Sequence, residues 1–297
     1  MISVIIPSYN SENTIERCLY SLTTQSYRGE YEIILADSSE DNTSYIVKTN
    51  YPQIQLIHFD QKTDPGTARN AGIDRAKGEL IAFIDSDCIA TSNWLERIAE
   101  AHASKYRVVG GVVSNGNPEH DLVAWAGYFA EFREFLPEKP RQEVMHIPTC
   151  NISYKKDVFL EFGLFQGKYY PQEDLVYNHN LRENGEKILL DPRIQVYHMH
   201  RSRLKDFLNH QNKIGIVTAR VLTILQLEGS FLARHPFAAT LFSPILVTIK
   251  FFRTVSVFLR YQPKVIRKHP FVLMPLLLGL LYWVIGFIKG AKMKDPF

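Results

Sequence analysis

The sequence predicts an α/β protein whose core is a mostly parallel, helix-covered sheet. In the first third of the chain four short apolar runs alternate with helical stretches, and that order joins parallel strands by helical crossovers. Polar turn segments follow directly on the strands, at the edge where such sheets bind ligands. The run Leu80-Ile81-Ala82-Phe83-Ile84 ends in the most informative of these turns, Asp85-Ser86-Asp87.

Taken in order, Ser3-Val4-Ile5-Ile6-Pro7 reads as a first buried strand, followed by the turn Pro7-Ser8-Tyr9-Asn10 and a helix over residues 15–22. Tyr31-Glu32-Ile33-Ile34-Leu35 is the second strand; an acidic loop from Asp37 to Thr43 and a helix over 44–49 come after it. Ile54-Gln55-Leu56-Ile57 is the third, then a helix over 67–76 leads to the fourth at 80–84. Asp41 before Thr43 suits a helix start as well as a ligand loop. Later helices are expected near Ser92, over 175–184 and over 204–215. The aromatics of 121–136 recur at helical spacing, which reads as core or partner surface, or as a platform for a sugar.

At 297 residues, with 45% hydrophobic and 22% charged side chains, the chain is long enough for one large core or two smaller ones. A formal net charge of +3 and no long basic stripe in the first two hundred residues argue against nucleic acid as a partner. Cys18, Cys88 and Cys150 are odd in number and widely spaced, which indicates neither a disulfide framework nor a zinc site and fits a reducing cytosol. Strand-like residues from Ile2 onward leave no room for a signal core, so secretion of the catalytic part is not expected. Neither a dinucleotide fingerprint nor a P-loop occurs.

Several side chains can carry chemistry. In extended backbone Asp85 and Asp87 would point the same way and share one divalent-cation site, since hard cations prefer oxygen donors; the same pair can instead cap the helix near Ser92. Arg69, in a helix after Gly66, offers a fork of donors to a diphosphate or base, or a surface ion pair. Glu173 and Asp174 open a helix after Pro171. Adjacent helical residues point in different directions, so one can face a substrate while the other orients it, and both also favour the helix dipole. His198 and His200 alternate along an extended segment, and imidazole is a common metal ligand; His198 follows more directly from the strand.

Together these segments resemble the inverting family 2 glycosyltransferases with the GT-A fold. SVIIPSYNSENTIERCLYSLTTQSY is similar to that family's first strand, loop and helix, and EIILADSSEDNT to its second strand and acidic loop. DPGTARNAG resembles its Gly-x-x-x-Ala-Arg-Asn-x-Gly segment, IDSDC stands at its Asp-x-Asp position, and TCNISYKKDVFLEFGLF with YYPQEDLVY resembles the region up to and including its Glu-Asp motif. The resemblance covers roughly residues 1–215, and its specificity lies in the ordered set.

That resemblance implies a nucleoside diphosphate sugar donor, a UDP-sugar being favoured, and Mn2+ or Mg2+ as the cofactor. It makes Asp174 the general base, with Glu173 beside it. Asp87 and His198 become the metal ligands. Pro7, Tyr9, Asn10, Asp37, Arg69, Asp85 and Ser86 become nucleotide-sugar contacts. The acidic loop departs from the family's common Asp-Asp-Gly-Ser, with Ala36 in one acidic position and Ser38 in place of glycine. Gln211-Asn212-Lys213 lacks the tryptophan of the Gln-x-x-Arg-Trp found in processive synthases.

From about Pro236 the composition turns apolar. Residues 237–252 are largely apolar and 271–288 carry no charge, close to the roughly 18–20 residues that cross a bilayer. Arg253, Arg260, Lys264, Arg267 and Lys268 lie between these segments, and Lys289, Lys292 and Lys294 follow them. Basic flanks favour anionic headgroups, and the first segment can be interfacial or re-entrant as well as spanning. Helices buried against the catalytic part or in an oligomer are the alternative, since Pro244 and Pro275 interrupt the runs.

The expected organisation is a catalytic domain over residues 1–228 and a C-terminal hydrophobic, basic, membrane-associated helical region over 229–297. The expected function is inverting sugar transfer to a glycan or lipid-linked acceptor at the cytoplasmic face of the cell membrane, with no nucleic acid involved. A polyprenyl-phosphate acceptor, a non-catalytic nucleotide-sugar-binding scaffold and a nucleotidyltransferase are the alternatives.

Overall fold

The computed structural model describes residues 1–225 and 227–293; Lys294, the last of the expected basic flank, lies outside the described residues. Two compact units are present, one formed by Met1–Gly116 with Lys139–Met199, the other by Asn117–Glu138 with the chain from His200 onward.

The first unit is built on one nine-stranded sheet. Its strands are β1 (Ile2–Ser8), β2 (Tyr31–Asp37), β3 (Gln55–His58), β4 (Leu80–Phe83), β5 (Cys88–Ala90), β6 (Val108–Asn115), β7 (Gln142–Val144), β8 (Ile152–Lys155) and β9 (Ile188–His198). The order is β3-β2-β1-β4-β8-β6-β9-β5, with β7 on β9. The half read from the alternating apolar runs, β3-β2-β1-β4, is parallel throughout. β8 then enters antiparallel between β4 and β6, and β6 pairs parallel with β9. Every residue of β1 is buried, as expected of a strand covered by helices on both faces.

Helices Ile15–Thr23, Thr43–Asn50 and Pro65–Arg75 connect the parallel strands. The last has Asp64 at its N-cap, accepting from the Thr67 N–H at 3.0 Å, and proline in its first turn. A Cβ added at Gly72 would strike the Ile5 side chain, so glycine here lets this helix lie close on β1. Helix Glu173–Glu183 packs on a cluster of rings: Tyr177 stacks on Phe159 at 5.7 Å, and Phe165 lies 4.7 Å from Tyr177 and 5.5 Å from Phe83.

The second unit is helical. Among the described residues it contains Leu122–Phe132, Leu204–Ile224, Ser243–Tyr261, Leu273–Ala291, three shorter α-helices and a 3-10 turn at Pro270–Val272. The expected aromatic stripe is core here: Tyr128 and Phe129 are buried, and Phe129 stacks on Phe258 with ring centroids 3.7 Å apart. The first apolar segment is broken between Pro236–Leu241 and Ser243–Tyr261. Among the described residues one helical stretch, Pro270–Ala291, is long and apolar enough to be a candidate membrane span.

Candidate active site

β4 stops at Phe83, and the two aspartates that follow do not continue its pleat. The Asp85 carbonyl accepts the Cys88 N–H at 3.0 Å, so Asp85-Ser86-Asp87-Cys88 is a tight turn into β5. The two carboxylates consequently have different partners. Asp85 Oδ1 accepts from Arg69 at 2.8 Å, whereas Asp87 Oδ1 lies 3.5 Å from His198 Nε2. Neither caps the next helix, Trp94–His102, whose first N–H donates to the Thr91 carbonyl.

Arg69 is the hub of the site. Its other terminal nitrogen donates to Glu173 Oε1 at 2.7 Å, so one guanidinium joins the turn after β4 to the acid pair of helix Glu173–Glu183. The alternative of a surface ion pair does not hold, because Arg69 is only 3% exposed. Burial pushes the Glu173 carboxyl up to about 7, with the Arg69 charge opposing and Asp174 adding to the shift. Burial raises Asp85 as well, against the pull of Arg69. One cation thus faces more carboxylate than it can neutralise, and burial favours the protonated form of Glu173, whose Oε2 has no hydrogen-bond partner among the described residues.

The adjacent acids diverge as helical geometry requires. Asp174 turns away from Arg69: Oδ2 accepts from the Thr149 N–H at 3.1 Å, and Oδ1 accepts from the Leu175 N–H at 2.7 Å. Thr149 opens a short 3-10 turn, Thr149–Asn151, locked from below by Asn151, which accepts from Trp94 Nε1 and donates to the carbonyls of Val112 and Ile194. Asn70, next to Arg69, brackets the backbone of Phe165 with its amide, donating to the carbonyl at 2.8 Å and accepting the N–H at 3.1 Å. Gly66 completes the fit, since a Cβ there would meet Glu173 Cγ at 3.2 Å.

The loops after β1 and β2 form an adjoining set. Asp37 is fully buried and accepts from Ser39 Oγ at 2.5 Å and Ser44 Oγ at 2.6 Å, with His58 at 3.5 Å. Ser39 Oγ also accepts the Asn10 N–H, and Asn10 holds φ 52°, a conformation that asparagine tolerates better than most residues. Pro7 is buried in β1, and Lys62 Nζ sits 4.0 Å above the Tyr9 ring. Ser11 and Ser86 share a 2.7 Å hydrogen bond, which ties the β1 loop to the turn of Asp85 and Asp87. Asp41 accepts from Thr43 and from the Glu12 N–H, the helix-start arrangement.

The expected residues fall into two groups. Arg69, Asp85, Ser86, Asp87, Glu173, Asp174 and His198 are linked by the turn and the Arg69 bridge, while Pro7, Tyr9, Asn10 and Asp37 line the neighbouring loops. Cys88 is the addition. Its sulfur, an Asp87 carboxylate oxygen and a His198 nitrogen all lie within 4.8 Å of one another. Burial pushes the Cys88 thiol well above its ordinary value, and a protonated thiol is a poor ligand. Asp87 and His198, with the Cys88 thiol beside them, are the side chains that could hold a divalent cation there. Thr149 and Asn70 were not singled out from sequence, although each lies in a quoted segment, Asn70 beside Arg69 and Thr149 at the start of TCNISYKKDVFLEFGLF.

An open α/β sheet with an acidic turn after its fourth strand and a second acid pair beside it is the arrangement of the GT-A fold. The comparisons agree. Residues 3–163 match the Glycosyl transferase family 2 model, more than half of the 297 residues, and the chain belongs to that family. It is 30% identical over 190 residues to glycosyltransferase AglE of Haloferax volcanii, covering 62% of this chain and 62% of that protein. It is 33% identical over 201 residues to glycosyltransferase GlyG of Streptococcus pneumoniae serotype 4, covering 61% and 65%. It is also 35% identical over 97 residues to the UDP-Glc:alpha-D-GlcNAc-diphosphoundecaprenol beta-1,3-glucosyltransferase WfgD of Escherichia coli, covering 32% and 38%. The chain thus spans less than two thirds of the length of each of these curated relatives. Among solved structures, S. aureus TarS residues 1–349 in complex with UDP-GlcNAc aligns with a TM-score of 0.56 at 17% identity, covering 96% of this chain and 90% of that one; the likeness is one of fold.

Proposed function

We propose that this protein is an inverting, metal-dependent glycosyltransferase that moves a sugar from a UDP-sugar to a glycan or lipid-linked acceptor at the cytoplasmic face of a membrane. The observation that carries the reading is the Arg69 bridge, because it fixes the donor-side turn of Asp85 and Asp87 against the acid pair that includes Asp174.

In this reading the acceptor hydroxyl attacks the anomeric carbon while the bond from that carbon to the diphosphate oxygen breaks, its electrons leaving with the diphosphate. The hydroxyl proton passes to Asp174, whose carboxylate is held at a fixed angle by the Thr149 and Leu175 N–H groups. A divalent cation held by Asp87 and His198 would neutralise charge on the leaving diphosphate. Glu173 positions Arg69 and stays clear of the proton transfer. By the family resemblance Asp37, at the end of β2, is the acceptor for the uracil imide N–H; its carboxylate is buried beneath the Ser39 and Ser44 hydroxyls, which would turn aside to admit the base.

Two names support the choice of donor and acceptor. TarS is a protein solved with UDP and with UDP-GlcNAc, and WfgD is named for a diphosphoundecaprenol-linked acceptor. The lipid-linked acceptor also suits the apolar stretch Pro270–Ala291, and a polyprenyl phosphate acceptor is the closest variant of the reading.

The test is nucleoside diphosphate release from UDP-, GDP- and dTDP-sugars, with Mn2+, Mg2+ or chelator, for wild type and Asp174→Asn. Release from UDP-sugar that needs metal and falls by about a hundredfold or more in the variant supports the reading, and NMR of the fresh product reports inversion. Donor binding without release in the presence of membrane extract would instead favour a non-catalytic scaffold.

A further inference from the structure

The helix Leu273–Ala291 passes the length and composition test for a membrane span, but its packing argues for a different placement. One side lies against Leu204–Ile224 at backbone contact. A Cβ at Gly279 would strike the Phe207 ring, one at Gly286 the Asn212 carbonyl and one at Gly290 the Ile216 carbonyl, while one at Gly215 would strike the Trp283 carbonyl. Asn212 Nδ2 donates to the Tyr282 carbonyl at 3.0 Å. The two helices therefore run together over most of their length. The partner helix carries Lys205, Asp206, Lys213 and Arg220, and its Gln211 bonds Glu131 at 2.8 Å. Were Leu273–Ala291 to cross a bilayer, this polar helix would have to enter hydrocarbon with it, and charged side chains at that depth are strongly disfavoured.

The opposite side is a continuous apolar stripe. Met274, Leu277, Leu278, Leu281, Tyr282 and Ile285 are exposed at steps of three and four residues, and Lys289 and Lys292 end the row. Helix Ser243–Tyr261, which meets this one where Lys250 Nζ sits 3.8 Å over the Trp283 ring, exposes a stripe of its own through Ile245, Ile249 and Phe252. Phe237, 83% exposed, belongs to the same unit. Between residues 229 and 293 the sequence has nine lysines and arginines and no aspartate or glutamate. Apolar stripes of this kind within a wholly basic segment complement an anionic lipid surface in both respects.

We propose that the helical unit seats in one leaflet of an anionic bilayer, with Leu273–Ala291 lying in the membrane plane instead of crossing it. The inference deepens the membrane placement given above and is independent of the sugar chemistry. The polar helix Leu204–Ile224 stays on the aqueous side, the exposed stripe of Leu273–Ala291 enters the acyl region, and basic residues such as Lys289 and Lys292 reach the headgroups, while Lys268 pairs with Glu119 and Arg253 with Glu134 and Glu228.

The experiment uses the full chain with preformed vesicles of phosphatidylcholine alone or mixed equally with phosphatidylglycerol. Flotation should show about tenfold or greater preference for the anionic vesicles, weakened by salt. Single cysteines at Arg267→Cys and Lys292→Cys, one near each end of the helix, should both react with an impermeant maleimide added outside, over a background of three buried native cysteines. Reaction of one end only after permeabilisation would mean a span and would overturn the proposal. Equal or absent binding to both vesicle types would also overturn it, as would a lipid-free dimer that buries the stripe. The variant Leu277→Glu/Leu281→Glu changes only exposed positions and should lose vesicle binding while releasing nucleoside diphosphate in solution like wild type. If that release is absent in wild type as well, the transferase reading fails and the lipid result still stands by itself.

Discussion

Arg69 and Glu173 meet at 2.7 Å across 104 residues of sequence, and the same guanidinium reaches Asp85 at 2.8 Å. Replacing it by alanine leaves Glu173 buried without its counter-charge. Arg69→Ala should cost about 3 kcal/mol of unfolding free energy in urea, part of the full penalty being relieved by protonation of Glu173. Arg69→Lys should recover a minority of it, since one ammonium cannot fork to both acids. A loss near zero would mean the bridge is incidental.

Stability should depend on pH through the same pair. The Glu173 carboxyl moves from its ordinary 4.5 to about 7, so between these values the folded chain holds a proton that the unfolded chain has released. Its contribution is fully present below about pH 4.5 and declines as pH rises through about 7. Urea midpoints measured across this window should fall for wild type and be flatter for Glu173→Gln. Parallel profiles for the two proteins would contradict the assignment.

Metal affinity should track the Asp87 and His198 pair. In titrations with Mn2+ and UDP followed by EPR, His198→Ala is expected to weaken Mn2+ binding on the order of tenfold to a hundredfold, and Asp87→Ala at least as much. Cys88→Ser should have a smaller effect, because a soft sulfur is a weaker ligand for a hard cation than the Asp87 carboxylate. A large loss for Cys88→Ser with none for His198→Ala would reassign the donor set.

Gly72→Ala tests how closely the arginine-bearing helix lies on β1. Alanine gains about 1 kcal/mol in helix propensity, but its methyl group meets the Ile5 side chain, an overpacking that typically costs about 1–3 kcal/mol. The net should be a lower melting temperature by a few degrees, read by circular dichroism. A rise would show that Ile5 yields freely.

What could be read from sequence follows the range of the interactions concerned. The strands β1 to β4 and the helices between them are set by local alternation, and their predicted positions match within two or three residues. The entry of β8 beside β4 rests on pairing between Ile81 and Tyr154, for which nothing near either residue gives a sign. Asp85 and Asp87 were expected to share a pleat; the Cys88 N–H turns the chain there, and each acid finds a separate partner. The divergence of Glu173 and Asp174 followed from helix geometry alone, but their partners Arg69 and Thr149 did not. Similarly, the aromatic helix Leu122–Phe132 carries no signal that it groups with the chain after His200.

The rings beneath helix Glu173–Glu183 bear on how this protein can change. With Tyr177 stacked on Phe159 and tilted against Phe165, and Tyr154 bonding Asn178 at 2.8 Å, the helix cannot roll or slide without breaking several contacts at once. Its two acids are therefore keyed in place like a lock's fixed pins. Among the described residues the segment after β2 has no such ring packing: Ser39 in the loop and Ser44 in the first turn of helix Thr43–Asn50 touch the Asp37 carboxylate, so a change there alters that carboxylate's partners and leaves the acid pair in place. An effort to retarget the donor would do better to begin with those serines than with the acid pair.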